Sequence, residues 1–388
     1  MSLIKHIQNV SLAACCTMFA ANAAIADSSD AMHAAMAGVN QQQVLPVDQV
    51  HGDLSVMVLG SGGPLATTSG RASAGYIVFV DGVAKIIMDC GGGTYLRVGQ
   101  SGASIKDVDT FLISHLHIDH MGDLPAIVKD MYFQNRVANV ATTPINYPKG
   151  RTKPFHVFGP GANGAPFGAA AGILQDGTPP KDPSVAATTQ YPSTSEFVND
   201  MFNINTGQDR YLHIFSQMIS AGEFAYNVTD VSPDFKAYNP VIVNDNGLKI
   251  TAVGVNHGPA PALAFRIDYK GHSIVYSGDT SSVKDNMISL SQNADLLIYD
   301  TSITDTLPNS GLNDKMFFAL HTTPTRMGQV AAAAGVKKLV FSHLTPNTEP
   351  RMDEVESLVT AAGYTGEMSI ANDLKVYNLD GDHDDMHR

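Results

Sequence analysis

The chain has 388 residues, 44% of them hydrophobic, a formal net charge of -13 at pH 7 and a pI near 5.4. Those numbers fit a soluble globular protein with one large α/β domain or two smaller ones. So acidic a chain gives phosphate backbones no electrostatic footprint, so its charge predicts no nucleic-acid partner.

The first element is a leader. Lys5 precedes the apolar, small-residue run VSLAACCTMFAANAAIA, which ends in Ala24-Ile25-Ala26 before the polar Asp27. That pattern predicts a cleaved secretory signal over residues 1–26 and a periplasmic or secreted product. A lipoprotein signal ending at Cys15 is the narrower alternative. Cleavage leaves Cys90 as the only cysteine, so export here implies no disulfide scaffold. No later segment is long and apolar enough to span a bilayer.

Residues 27–50 read as a polar linker, and 51–380 as the main domain. The alternating run 54–59 predicts a strand, ended by Gly60-Ser61-Gly62-Gly63-Pro64. Residues 75–80 and 83–89 predict a hairpin through the two-residue turn Asp81-Gly82. A buried strand follows at 107–114 and a helix at 121–132. Over 135–245 the texture turns to Pro, Gly, Asn, Tyr and Phe, with a short strand at 155–158 and helices near 194–220. A bare loop of that length does not suit a compact domain, so a lid-like insert is expected. Strands return at 248–255, 262–269, 273–277 and 295–299. Thr322-Thr323-Pro324 caps a helix reaching Ala334 and closed by Gly335, before a strand at 338–342. Residues 381–388, rich in Asp and His, read as a disordered tail. Strand groups with helices between them predict a layered α/β arrangement, sheet packed on sheet.

The chemistry concentrates in His115-Leu116-His117-Ile118-Asp119-His120. Divalent metals take neutral imidazole and carboxylate donors, and His115 and His117, two apart at a strand end, project to one side. One ion could take that pair and a second Asp119 with His120, but a catalytic zinc usually has three protein ligands, so the rest must come from elsewhere. His257, Asp279 and His343 each follow an apolar strand, where short loops can converge. Asp279, with two carboxylate oxygens, could bridge two ions.

This constellation resembles the metallo-β-lactamase superfamily, in particular the branch holding ribonuclease Z and the arylsulfatases of that fold. Leu59-Gly60-Ser61-Gly62-Gly63-Pro64, Arg71, Met88-Asp89-Cys90-Gly91 and FHVFGP are similar to that branch, beside the HxHxDH signature. The resemblance implies a four-layer αββα sandwich. It assigns His115, His117 and His257 to one metal and Asp119, His120 and His343 to the other, with Asp279 between. It also implies that His321, in Ala319-Leu320-His321-Thr322-Thr323, is a general acid. The branch's His-Glu-Ala-Thr motif is replaced by Tyr299-Asp300-Thr301-Ser302, which carries a shorter carboxylate. Two zinc ions are expected, and manganese or iron also suits His/Asp sites.

Such a pair of ions lowers the pKa of a shared water and withdraws charge from the attacked centre. Asp119 would orient that water and His321 would protonate the leaving oxygen. The export signal and the acidic charge, together with the lack of a basic clamping arm, direct the expectation to a periplasmic hydrolase of small sulfate esters or phosphodiesters. The alternatives are β-lactam or lactone ring opening at the same centre, and a non-catalytic metal-binding protein.

Overall fold

The computed structural model describes residues 44–140, 151, 153–165, 190–216, 224–234, 240–306 and 312–379. The expected leader, residues 27–43 of the expected linker and the expected tail lie outside the described residues, while the rest of the linker holds a short 3-10 helix at Pro46–Gln49. Contacts group residues 46–388 as one unit, which is described below.

The first part of that unit runs β1 (Leu54–Gly60), β2 (Gly75–Val80), β3 (Val83–Cys90), α1 (Thr94–Ser101), β4 (Thr110–Leu112), α2 (Ile118–Met121), α3 (Leu124–Val140) and β5 (Phe155–Pro160). Then come α4 (Thr194–Met201), α5 (Asp209–Ser216), β6 (Tyr226–Val231), β7 (Val241–Asp245), β8 (Leu248–His257), β9 (Ala260–Tyr269) and β10 (His272–Tyr276). The last part holds α6 (Asn286–Leu290), β11 (Leu296–Asp300), α7 (Leu312–Leu320), α8 (Pro324–Ala334), β12 (Lys338–Ser342), α9 (Met352–Ala361), β13 (Glu367–Ile370) and β14 (Val376–Leu379).

These strands form two seven-stranded sheets, ordered β14-β1-β2-β3-β4-β5-β6 and β13-β12-β11-β10-β9-β8-β7. Strand alternation sends successive side chains to opposite faces, which explains how every residue of β1 is buried. Val56 and Val58 point into a core shared with Ile250, Phe265, Ile298 and Val340 of the second sheet. Met57 and Leu59 point the other way, into a core with Val98, Leu124 and Val198 of α1, α3 and α4. On the far side, Val275, Leu297 and Phe341 pack against Met287, Val330 and Val355 of α6, α8 and α9. Three apolar layers between four layers of structure make the αββα sandwich expected from the sequence.

The β2–β3 hairpin turns through Asp81 (φ 49°) and Gly82 (φ 74°), the doubly left-handed turn that matches strand twist. The α8 helix starts as predicted: the Thr323 side chain accepts from Arg326 N, Pro324 takes the first turn, and Gly335 closes the end at φ 65°.

Three elements differ from expectation. The strand expected at 107–114 is shorter, Thr110–Leu112: before it Val108 N turns back to Ile105 O, and after it Ser114 N turns to the Asp89 carboxylate and Ser114 O accepts from Leu263 N. The helix expected at 121–132 is two helices, α2 and α3, separated at Gly122 and Asp123. Asp123 is occupied in receiving Gly93 N and Tyr95 N at the start of α1. Within the region expected to be a lid-like insert, β5 and β6 complete the first sheet and β7 edges the second.

Strand direction positions the site. β3, β4 and β5 are parallel neighbours, as are β10, β11 and β12, while β8 runs with β10 on either side of β9. The C-terminal ends of β4, β8, β10, β11 and β12 thus feed loops at common sheet edges.

Candidate metal centre

Seven predicted ligands converge in two groups. His115, His117 and His257 offer ring nitrogens within 4.8 Å of one another, and Asp119, His120, Asp279 and His343 do the same with four donors. In the first group His115 Nε2 lies 2.9 Å and His257 Nε2 3.2 Å from His117 Nδ1. In the second, His343 Nε2 lies 3.0 Å from His120 Nε2 and 3.2 Å from Asp119 Oδ2. Asp279 Oδ1 stands 3.3 Å from Nε2 of both His120 and His343. Its other oxygen is 3.9 Å from His115 Nε2 and 3.8 Å from His257 Nε2.

These spacings suit a cation. Ligands about 2.0–2.2 Å from a tetrahedral ion stand about 3.3–3.5 Å apart, close to the edges of the second group. Asp279 Oδ1 is buried with no hydrogen-bond partner, a costly state that a metal bond relieves. Charge points the same way. Burial and the neighbouring imidazoles push His115 well below the usual histidine range, and burial takes His257 down to about 3 against the pull of Asp279. Both are therefore neutral, the form a metal requires. Burial disfavours charge on His120 and His343 too, but the Asp279 carboxylate, with Asp119 and further acids, outweighs it; His343 is pushed up to about 10. Protons there compensate buried carboxylates whose charge a divalent ion would otherwise balance. The residues present fit two metal ions.

The other ring nitrogens of His257, His115 and His120 are held by the scaffold. His257 Nδ1 is 2.9 Å from Leu320 O, His115 Nδ1 3.1 Å from Ser114 Oγ, and His120 Nδ1 2.7 Å from Asp89 Oδ2. Contacts of this kind select the tautomer that turns the other nitrogen to the metal. Gly278 (φ 53°) sets the approach of Asp279: a side chain there would place Cβ 2.6 Å from Leu263 O and 2.7 Å from Ser114 Cβ.

His321, 3% exposed, sits beside both groups, with Nδ1 2.7 Å from Asp300 Oδ2. The shorter carboxylate at 300 therefore reaches His321. Asp300 is held well below the usual carboxylate range: burial opposes this, but His321 and His343 outweigh it. The donors brought together here are residues the sequence had already singled out as candidates. Sequence reasoning gave no role to Ser302 and none beyond a motif position to Asp89. Their contacts with Ser114, His120 and His343 join residues 25 to 41 positions apart, with no local signature.

The sandwich and the paired donor groups resemble a metallo-β-lactamase superfamily domain. Residues 216–344 match the family model described as Beta-lactamase superfamily domain, and 54–144 match the one described as Anti-Pycsar protein Apyc1. Along most of its length the chain is similar to proteins named ribonuclease Z. The one from Mycobacterium avium is 25% identical over 331 residues, covering 84% of this chain and 99% of the relative. The one from Thermoplasma acidophilum is 27% identical over 307 residues, 76% of this chain and 87% of the relative. Human tRNase Z, short form, shares the fold with a TM-score of 0.54 at 18% identity, over 83% of this chain and 98% of its own. Zn(2+)-bound PqqB from Methylobacterium extorquens gives 0.52 at 13%, over 84% and 100%.

Two expectations are corrected by these relatives. A substrate confined to small esters, and the exclusion of nucleic acid, conflict with likeness along nearly a whole ribonuclease Z chain. The charge argument failed for a physical reason. A net charge of -13 is a sum over the molecule, whereas exposed charges are screened beyond about 8–10 Å. Bound divalent ions are the largest charges a phosphate meets at such a site, and the sum omits them. Among the described residues no helix is long and apolar enough to cross a membrane.

Proposed function

We propose that this chain is a metal-dependent ribonuclease that hydrolyses a phosphodiester in RNA, using two zinc ions held by His115, His117 and His257 and by Asp119, His120 and His343, with Asp279 between. The supporting observation is the division of Asp279, one oxygen toward each group, beside the Asp300–His321 pair. Likeness to proteins named ribonuclease Z selects RNA among the esters such a centre can attack.

When bound, the two ions supply a nucleophile from water at neutral pH and offset the charge of the attacked phosphate. The side chains do the rest. Asp119, held by His120 and His343, presents a carboxylate that can orient the attacking water. Asp300 accepts from Nδ1–H of His321, which keeps the ring oriented and leaves Nε2 to deliver a proton to the departing oxygen. The leader read at residues 1–26 assigns this activity to the periplasm, which cell fractionation tests.

The test of function is cleavage of a labelled 3′-extended transfer RNA by purified protein with measured zinc content, alongside His321→Ala. The proposal predicts RNA cleavage that falls at least about 100-fold in the variant, in line with removal of a general acid. Zinc-loaded protein that leaves RNA intact defeats it.

A further inference from the structure

His343 is the ligand whose geometry needs the most support. It leaves β12 with φ 60°, a left-handed conformation unfavourable for a side-chain-bearing residue, and is 2% exposed. Its Nε2 faces Asp119, His120 and Asp279. Lending that nitrogen to a metal obliges Nδ1 to carry the ring proton and to find an acceptor.

Two acceptors are within reach. Ser302 Oγ lies 2.6 Å from His343 Nδ1, and Asp300 Oδ1 lies 3.2 Å away. The serine hydroxyl is also 2.7 Å from Asp300 Oδ1, which receives Ser302 N at 3.1 Å. A hydroxyl has one proton to give, and the carboxylate can only accept it. The assignment follows: His343 Nδ1–H donates to Ser302 Oγ, and Ser302 Oγ–H donates to Asp300 Oδ1. Asp300 Oδ2 is then left for His321 Nδ1–H at 2.7 Å.

We infer that Ser302 is a positioning residue: its hydroxyl holds His343 in the metal-binding tautomer and leaves Asp300 oriented toward His321. A single carboxylate thereby serves a metal ligand and the proton donor, because a serine stands between the first of these and the acid. All four side chains are buried, at 3% exposure or less, so no water competes for these bonds. Without the hydroxyl, His343 Nδ1–H has only Asp300 Oδ1 at 3.2 Å, longer than the ~2.7–2.9 Å of a charge-assisted bond unless one group moves. Such a shift would be drawn from the Asp300–His321 contact.

The inference rests on the two-metal reading above, and its test separates the two. Zinc stoichiometry and affinity are measured by chelator competition on wild-type protein, Ser302→Ala, Ser302→Thr and Thr345→Val. Thr345 Oγ1 donates to the carbonyl of Ser302, so its loss loosens the same loop without touching His343. Folding is checked by thermal melting. The expected result is two ions in the wild type, with the weaker affinity about 10–100-fold lower in Ser302→Ala, recovery in Ser302→Thr, and little change in Thr345→Val. In ¹⁵N-histidine spectra of the zinc-loaded protein, the His343 Nδ1–H resonance should shift in Ser302→Ala and the His321 resonance with it. A folded Ser302→Ala that keeps both ions at wild-type affinity overturns the inference, as does an equal loss in Thr345→Val. A wild type that binds no metal instead defeats the reading beneath it.

Discussion

Asp89 Oδ2 lies 2.7 Å from His120 Nδ1, and neither residue has any exposed surface. The same carboxylate receives Ser114 N at 2.7 Å, Ser114 Oγ at 2.6 Å and Tyr276 OH at 2.7 Å. Asp89 itself sits at φ 49°, so the chain bears backbone strain to aim it. Strand β3 thus orients, through Asp89, an imidazole carried on α2, the short helix after β4. Asp89→Ala is expected to lower affinity for one zinc ion about 10–100-fold while the other is retained. Metal content after dialysis against graded chelator reads this directly, and unchanged content would show that Asp89 only supports the fold.

Asp279 depends on the residue before it. Gly278→Ala places a methyl against Leu263 O and Ser114 Cβ in a left-handed conformation. The backbone must shift, and with it the one carboxylate that faces both groups. Turnover should fall further than the melting temperature suggests, with fewer than two ions bound. Parallel measurement of zinc stoichiometry and thermal stability separates the two effects.

At the far side of the β1–β2 loop, Arg71 Nε donates to Glu349 Oε1 at 2.7 Å, and Nη1 donates to Ser61 Oγ and Ala371 O. Burial raises the Glu349 carboxyl, but the Ser69 hydroxyl and the Arg71 guanidinium outweigh it and hold it below the ordinary glutamate range. A depressed folded value stabilises the fold above the unfolded value, about pH 4.3, and that contribution is lost as pH falls through the folded value. Glu349→Gln should therefore melt below the wild type at about pH 7, with the gap closing toward about pH 3. A gap that does not change with pH would contradict the assignment.

Phe265 has no exposed surface and lies in the core between the sheets. Phe265→Ala removes most of that side chain from a layer closed on both faces, and should cost about 3–5 kcal/mol of unfolding free energy. Denaturant titration measures it; a cost under about 1 kcal/mol would mean the sheets repack freely.

Much of this centre was legible in the chain. HLHIDH and the histidines and aspartate closing apolar strands required only strand periodicity and ligand chemistry, and His115, His120, His257, Asp279 and His343 do meet. What escaped was non-local. Asp89 and Tyr276 are 187 positions apart, and neither residue's neighbours announce that contact. The strand expected at 107–114 stopped early because a side chain, not a neighbouring strand, takes up Ser114 N. The edge strands β6 and β7 are largely half-exposed or exposed, so burial leaves a weak pattern in their sequence. The substrate was misjudged because net charge does not record where charge sits or what a bound ion adds.

The central claim is that two metal ions on these seven residues cleave RNA. Its most direct test compares cleavage of a 3′-extended transfer RNA by wild-type protein as purified, after chelation, and after zinc is restored, with His257→Ala beside it. The account predicts loss of cleavage on chelation, recovery at two zinc ions per chain, and no recovery in folded His257→Ala. Cleavage that persists at full rate in chelated, metal-free protein would contradict it.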